Sequence, residues 1–164
     1  MKSFLFLLAA LIPLGSPLLA GPEYPQMGPD IYDPKANGTA EIAKALAAAQ
    51  TAHKNVLLVF GANWCPWCRS LHRVFEKDAN IAKTLRENFV VVLIDSNWRH
   101  GEKRNDDVNL RYGNPLHEGL PVLIVLDETG RPLTTQETGA LEEGETHSPA
   151  KIIAFLTKWA PAKR

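Results

Sequence analysis

This chain contains three short hydrophobic runs made up almost entirely of Val, Leu and Ile, at 56–60, 90–94 and 122–126. Each run consists entirely of apolar residues, which is the pattern expected of a strand whose two faces are both covered. A fourth strand is predicted to begin near Leu133, after a turn at 127–130. The chain is therefore predicted to build a sheet around these buried strands.

Between the runs, apolar residues recur every three or four positions, which predicts helices. Ser148 is predicted to cap the last helix, with Pro149 at its first position. Because strands and helices alternate, the sequence predicts an α/β protein with a central mixed β-sheet flanked by helices. The predicted helices cover 39–54, 66–75, 78–89, 108–112 and 148–159.

The first twenty residues differ in character from the rest. A positive charge precedes an apolar stretch at 4–12, and the segment ends with the small residue Ala20. This pattern predicts a secretory signal peptide over 1–20, cleaved near Ala20, because the apolar stretch is too short for a membrane-spanning anchor. Residues 21–36 are rich in Pro, Gly, Tyr and Asp and are predicted to be an irregular lead-in to a single domain at 37–164.

Composition and charge narrow the class of protein only a little. The chain has 164 residues, of which 45% are hydrophobic, and it carries 18 basic and 18 acidic residues. These values fit one globular domain with its own core. A balanced charge without a large basic cluster gives no basis for nucleic-acid binding. We expect the protein to be a monomer.

Candidate chemistry is concentrated in the two cysteines of the chain, Cys65 and Cys68, which follow the run at 56–60. A disulfide between them would close too small a loop to stabilise the fold much, so the pair suits reversible redox chemistry better than a structural bond. Cys65 is predicted at the start of a helix, where free N–H groups and the helix dipole lower a thiol pKa. Cys65 is therefore the predicted nucleophile, and Cys68 the thiol that resolves a mixed disulfide.

The residues around this pair resemble the thioredoxin superfamily. Trp64-Cys65-Pro66-Trp67-Cys68 follows a buried strand, and Gly119-Leu120-Pro121-Val122 precedes a later one. Together they are similar to exported bacterial thioredoxin-like and disulfide-isomerase-like proteins. The resemblance covers about residues 37–160 and implies a thioredoxin-like fold. It also implies that Pro121 is cis and lies against the cysteines, and that the backbone of Leu120 pairs with an extended substrate.

Trp64, Pro66 and Trp67 complete the predicted substrate-binding set, together with Leu120 and Pro121. Trp67 lies between the cysteines, where it is difficult to bury, and is predicted to offer an apolar platform to a partner chain. For Trp64, core packing and substrate contact are both open.

The chain departs from thioredoxins at two buried positions. Val59 stands where thioredoxins carry a buried acid, and Val91 stands where they carry a buried lysine. The usual groups for deprotonating the resolving cysteine are therefore missing, and the sequence names no replacement for them.

These features predict a secreted or periplasmic thiol–disulfide oxidoreductase that reduces or shuffles protein disulfides without a cofactor or metal. Its expected partners are protein substrates and a membrane or soluble redox protein that resets the cysteine pair. The alternative is a copper metallochaperone that binds metal through both cysteines and a histidine, for which His72 and His117 are the candidates.

The remaining charged and polar groups are predicted to be solvent-exposed. The five histidines have polar sequence neighbours and are interpreted as surface residues. The basic segment at 98–104 is interpreted as a solvated loop, with partner docking as its alternative. Arg69 is expected either to help hold the Cys65 thiolate or to be solvated.

Overall fold

Four strands form the central sheet of the computed structural model, which describes residues 21–162. They are β1 (Asn55–Gly61), β2 (Phe89–Asp95), β3 (Val122–Leu126) and β4 (Pro132–Glu137). Hydrogen bonds join them in the order β2, β1, β3, β4. Strand β1 pairs parallel to β2 and antiparallel to β3, and β3 pairs antiparallel to β4, so the sheet is mixed.

Within the described residues, five α-helices flank this sheet. A short hairpin of β5 (Glu142–Glu143) and β6 (Thr146–His147) lies before the last helix. The predicted α/β class with a central mixed sheet is confirmed, and each helix lies within a few residues of its predicted position. The helices are α1 (Gly38–Ala52), α2 (Pro66–Lys77), α3 (Ala79–Asn88), α4 (Asp106–Arg111) and α5 (Pro149–Lys158).

Alternate residues of β1 point to opposite faces of the sheet, and helices cover both faces. Leu57 and Val59 pack with residues of α2, α3 and α5 in one core cluster. Val56, Leu58 and Phe60 pack with residues of α1 and α4 in a second cluster. Every residue of β1 is buried, which explains why its apolar run is continuous rather than alternating.

Strand β2 is less buried than its apolar run predicts, because it lies at the edge of the sheet. Val91 is 37% exposed, although it shares a face with Leu57, its partner across the β1–β2 ladder. The prediction that β2 is covered on both faces is wrong at this residue, since an edge strand has a neighbouring strand on one side only.

Side-chain caps mark the starts of α1 and α3. The Asn37 side chain accepts a hydrogen bond from the backbone N–H of Ala40 at 2.9 Å before α1, and Asp78 accepts from two backbone N–H groups of α3. Ser148 occupies the N-cap of α5, as predicted, but its side chain makes no capping hydrogen bond.

The register of the sheet brings three chain segments together at one end of its strands. Phe60 pairs with Val122, the first residue of β3, and Gly61 pairs with Asp95, the last residue of β2. The segments that follow β1 and β2 therefore meet the turn that precedes β3. The cysteine pair lies at this end of the sheet, because α2 begins shortly after Gly61.

The predicted signal peptide at 1–20 lies outside the residues that the structure describes. Residues 21–36 have an irregular backbone apart from a 3₁₀ helix at Pro25–Met27. Among residues 21–162, no helix has both the length and the apolar character that crossing a membrane requires.

Candidate active site

Two unbonded cysteine thiols lie at the start of α2. Cys65 is the N-cap residue of this helix, and its sulfur accepts a hydrogen bond from the backbone N–H of Cys68 at 3.2 Å. Pro66 occupies the first helical position, where its missing N–H leaves no bond unmade. Cys65 is 4% exposed and Cys68 is 1% exposed, so Cys65 is the more accessible of the two residues.

The two thiols differ in acidity. A hydrogen bond with the Cys68 side chain is the largest cause that lowers the pKa of Cys65; burial opposes it, and the backbone N–H groups of Cys68 and Trp67 and the charge of Arg99 add to the lowering. Burial raises the pKa of Cys68 far above its usual range, and the neighbouring Cys65 raises it further. The pair therefore favours a thiolate on Cys65 beside a protonated thiol on Cys68.

The Leu120–Pro121 peptide bond is cis, as the resemblance implies, and it lies beside the cysteine pair. The Cys65 thiol donates a hydrogen bond to the Leu120 carbonyl oxygen, with 3.7 Å between sulfur and oxygen. The Thr138 hydroxyl donates to the Pro121 carbonyl at 2.8 Å in a buried contact. The structure thus brings Leu120 and Pro121 to the cysteines, with one backbone carbonyl facing the Cys65 sulfur.

Trp64 is held by the loop that follows β2. Its indole N–H donates to the Asn97 side chain at 2.8 Å, and the ring of Trp98 meets it edge-on at 4.9 Å. The guanidinium of Arg99 lies 3.9 Å from the centre of the Trp64 ring, in a cation–π contact. Arg99 is exposed, in keeping with the interpretation of 98–104 as a solvated loop, but its guanidinium also packs on the Trp64 ring and brings positive charge near Cys65.

Trp67 is half-buried and packs edge-on against His147, with 5.6 Å between the ring centres. His147 is fully buried, so its interpretation as a surface histidine is wrong. The β5–β6 hairpin places it there, because the hydroxyls of Thr146 and Ser70 share a hydrogen bond of 3.0 Å that holds the hairpin against α2. Neither ring nitrogen of His147 has a hydrogen-bond partner among the described residues, and burial lowers its pKa.

Asn63 fixes the lead-in, residues 21–36, beside the cysteine motif. Its side chain is fully buried, and its Oδ1 accepts hydrogen bonds from the backbone N–H groups of Ile31 and Tyr32, both at 2.9 Å. Its Nδ2 donates to the Tyr32 carbonyl at 2.8 Å. The Asn63 side chain therefore satisfies three backbone polar groups of Ile31 and Tyr32, which lie outside the helices and strands.

Arg69 adds a second link between the lead-in and the motif. Its Nε donates to the Asn63 carbonyl and its Nη1 donates to the Pro29 carbonyl, both at 2.9 Å. The expectation that Arg69 either holds the thiolate or is solvated is therefore wrong, because two nitrogens of its guanidinium donate to backbone carbonyls.

Arg104 joins the lead-in to the end of β2. Its guanidinium pairs with Glu23 at 2.8 Å and with Asp95 at 2.9 Å. Asp95 is 1% exposed on its side chain, and burial raises the pKa of its carboxyl, although a hydrogen bond from Arg104 opposes the change. The interpretation of 98–104 as a solvated loop is wrong at Arg104, whose side chain is 20% exposed and supplies the partner that a buried carboxylate needs to keep its charge.

Tyr32, Asn63 and Arg99 surround the cysteines but were not among the predicted site residues. Tyr32 is 2% exposed and packs with both cysteines. Asn63 adjoins the motif, so its position in the sequence was the one available signal. Tyr32 and Arg99 lie in segments without hydrophobic periodicity, far along the chain from the cysteines, and local patterns do not reveal such contacts.

The two histidines considered for metal binding have other partners. His72 pairs with Glu76 at 3.4 Å, while His117 contacts the Asn114 carbonyl at 2.6 Å and the Glu118 carboxylate at 2.8 Å. Within residues 21–162, no group of three or more histidine, cysteine or acidic side chains is arranged to hold a metal ion.

A family model described as thioredoxin-like matches residues 37–128 of this chain. Among solved structures, the disulphide isomerase of Xylella fastidiosa Temecula1 is similar, with 33% sequence identity and a TM-score of 0.69, over 79% of this chain and 95% of that chain. A thioredoxin from Thermus thermophilus shares the fold, with a TM-score of 0.53 at 20% identity, over 71% of this chain and 81% of that chain.

Two longer proteins are related in sequence. The thiol:disulfide interchange protein DsbD of Actinobacillus pleuropneumoniae is 30% identical over 107 residues, which is 65% of this chain. Nucleoredoxin of Homo sapiens is 28% identical over 111 residues, which is 57% of this chain. The matched region spans 17% of the first protein and 25% of the second.

Replacing Asn63 with alanine is expected to release the lead-in, because the N–H groups of Ile31 and Tyr32 lose their acceptor. An unsatisfied buried group costs about 1–3 kcal/mol. We therefore expect the free energy of unfolding to fall by about that amount for each of the two N–H groups. Amide hydrogen exchange at Tyr32 should accelerate. Asn88→Ala, which removes one hydrogen bond at the end of a helix, is the control. Unchanged protection of the Tyr32 amide in Asn63→Ala would contradict the account.

His147 is expected to make stability depend on pH. Its pKa is lower in the folded state than when unfolded, so its contribution is fully present above about pH 6.5, the ordinary histidine pKa, and is lost as the pH falls toward the folded-state pKa. The urea midpoint should fall between about pH 7.5 and about pH 5.5, and the fall should be smaller in His147→Phe. The exposed-site variant His117→Phe should keep the wild-type fall, and an equal fall in all three proteins would refute this assignment.

Proposed function

Since this chain belongs to the thioredoxin-like family, we propose that it is a thiol–disulfide oxidoreductase that reduces or shuffles disulfides of other proteins. The observation that carries the proposal is the asymmetry of the cysteine pair. Cys65 has a lowered pKa at the start of α2, and Cys68 is a buried thiol whose backbone N–H binds the Cys65 sulfur at 3.2 Å. One sulfur is thus prepared to attack, and the other to follow.

The proposed reaction has two exchange steps. The Cys65 thiolate attacks one sulfur of a substrate disulfide, forms a mixed disulfide and expels the other substrate sulfur as a thiolate. Cys68 then loses its proton and attacks the Cys65 sulfur, which forms the Cys65–Cys68 disulfide and expels the second substrate thiolate. Two electrons pass from the pair to the substrate. One released thiolate takes up the Cys68 proton, and the other takes a proton from solvent, which balances the proton that Cys65 lost to solvent when its thiolate formed.

Substrate is proposed to bind over Trp64, Pro66, Trp67, Leu120 and Pro121. Pro66 is exposed and the two indoles are half-buried, which leaves apolar surface next to Cys65. The Leu120 carbonyl, which faces the Cys65 sulfur, supplies a backbone acceptor for an extended chain.

We also propose where the protein acts and how its cysteine pair is reduced again. Export to the periplasm or beyond rests on the leader-like sequence at 1–20, with cleavage near Ala20. The oxidised pair must be reduced again after each turnover, so a membrane or soluble redox partner is proposed for that step.

Serine variants of the two cysteines test the mechanism. We expect Cys65→Ser to lose all acceleration of insulin reduction by a dithiol, because it lacks the attacking sulfur. Cys68→Ser should attack but not resolve, and should accumulate as a covalent mixed disulfide that mass spectrometry detects.

The double variant with both cysteines replaced provides the background rate. Wild-type protein that accelerates no disulfide reduction, and whose paired thiols instead bind copper(I) stoichiometrically, would overturn the proposal in favour of a metal-carrying role.

A further inference from the structure

One buried phenol adjoins the cysteine pair and takes no part in the two exchange steps. Tyr32 is 2% exposed and forms a cluster with Cys65 and Cys68. It comes from the lead-in, and the Asn63 side chain sets its place through bonds to the Tyr32 N–H and carbonyl groups at 2.9 and 2.8 Å. The phenol is therefore held at the site by its own backbone rather than by chance packing.

Gly61 provides the space for this phenol. A Cβ atom at position 61 would overlap the Tyr32 hydroxyl and two carbon atoms of its ring. The backbone of Gly61 continues the β1 ladder and pairs with Asp95, so it is the space, not an unusual conformation, that favours glycine here. The last residue of the central strand and the tyrosine of the lead-in fit together just below the motif.

Tyr32 packs against both cysteine side chains in one buried cluster. Burial is the largest influence on Cys68 and raises its pKa, while a hydrogen bond from the Tyr32 side chain acts in the opposite direction and lowers it. Burial raises the pKa of Tyr32 well above its ordinary value, and the nearby cysteine charges raise it further. The phenol therefore keeps its proton and acts as a hydrogen-bond donor rather than as a base.

The resolving step needs such a donor. Cys68 must become a thiolate inside the protein, and burial opposes that charge. The position at which thioredoxins carry a buried acid is Val59, an apolar residue packed in the core on the α2 side of the sheet. A neutral donor held next to Cys68 stabilises the developing charge without adding a second charge to the interior.

We propose that Tyr32 assists the resolving step by donating a hydrogen bond to the Cys68 sulfur as its thiolate forms. The proton of Cys68 leaves with the departing substrate thiolate, the Cys65–Cys68 bond forms as the bond from Cys65 to the substrate breaks, and Tyr32 retains its own proton throughout. This role rests on the proposed function, because it exists only if Cys68 resolves a mixed disulfide.

A chromogenic aromatic disulfide separates the two steps on the full reduced chain. Attack by Cys65 releases one coloured thiolate, and attack by Cys68 on the mixed disulfide releases a second. In Tyr32→Phe we expect the first release to keep its wild-type rate and the second to slow about tenfold, as the loss of a hydrogen bond to a charged group predicts. The pH midpoint of the second release should also move upward, a shift that a purely structural role would not produce.

Two further variants sharpen the test. Tyr112→Phe removes a phenol hydroxyl that packs against the α1 side of the core, and should leave both releases unchanged. Gly61→Ala displaces the Tyr32 hydroxyl while retaining the phenol, and should slow the second release as Tyr32→Phe does. Thermal unfolding and near-ultraviolet circular dichroism confirm that each variant is folded.

A folded Tyr32→Phe with the wild-type second release and the wild-type pH profile would overturn the role of Tyr32 while leaving the proposed function intact. Wild-type protein that shows the first release without the second would overturn the proposed function itself, and the role of Tyr32 with it.

Discussion

The burial of Cys68 beside Cys65 is the constraint on which the rest of this site depends. A thiol held away from water keeps its proton, because the charged form loses its solvation. That protonated thiol then serves as the hydrogen-bond partner that contributes most to lowering the pKa of Cys65. In the proposed reaction, the same burial creates a difficulty at the second step, when Cys68 must itself ionise. The acidity of the first step and the difficulty of the second therefore have one cause.

The fold supplies this burial from three directions. The central strand β1 ends at Gly61, so the cysteine motif lies between this strand and the start of α2. The cis-proline turn precedes the antiparallel strand β3 and lies at the same end of the sheet. The third cover is the lead-in, which is irregular apart from one 3₁₀ turn and is held in place by side chains. Asn63, Arg69 and Arg104 bind it to the motif and to the end of β2. A segment outside the regular elements thus completes the interior of the site.

Local patterns were sufficient to predict the parts of the molecule that local sequence determines. The three apolar runs predicted the strands at the centre of the fold, and the resemblance carried by the Cys65-Cys68 spacing and Pro121 predicted that the cysteines and the cis-proline turn lie together. The contacts of Tyr32, Arg99 and His147 could not be predicted, because each joins segments that are distant in the chain and without periodicity. The exposure of Val91 was missed for a related reason, since an apolar run does not say whether its strand lies at the centre or the edge of a sheet.

The central claim is that Cys65 is the more acidic thiol of the reduced pair and that its pKa lies below that of an ordinary cysteine. Ultraviolet absorbance of the thiolate, followed against pH in reduced wild-type protein and in Cys65→Ser, tests this directly. We expect one thiolate in the wild type, with a midpoint below the value of about 8.5 for an unperturbed cysteine, and none at that pH in Cys65→Ser. A wild-type midpoint at or above the unperturbed value, or a low-pH thiolate that persists in Cys65→Ser, would contradict it.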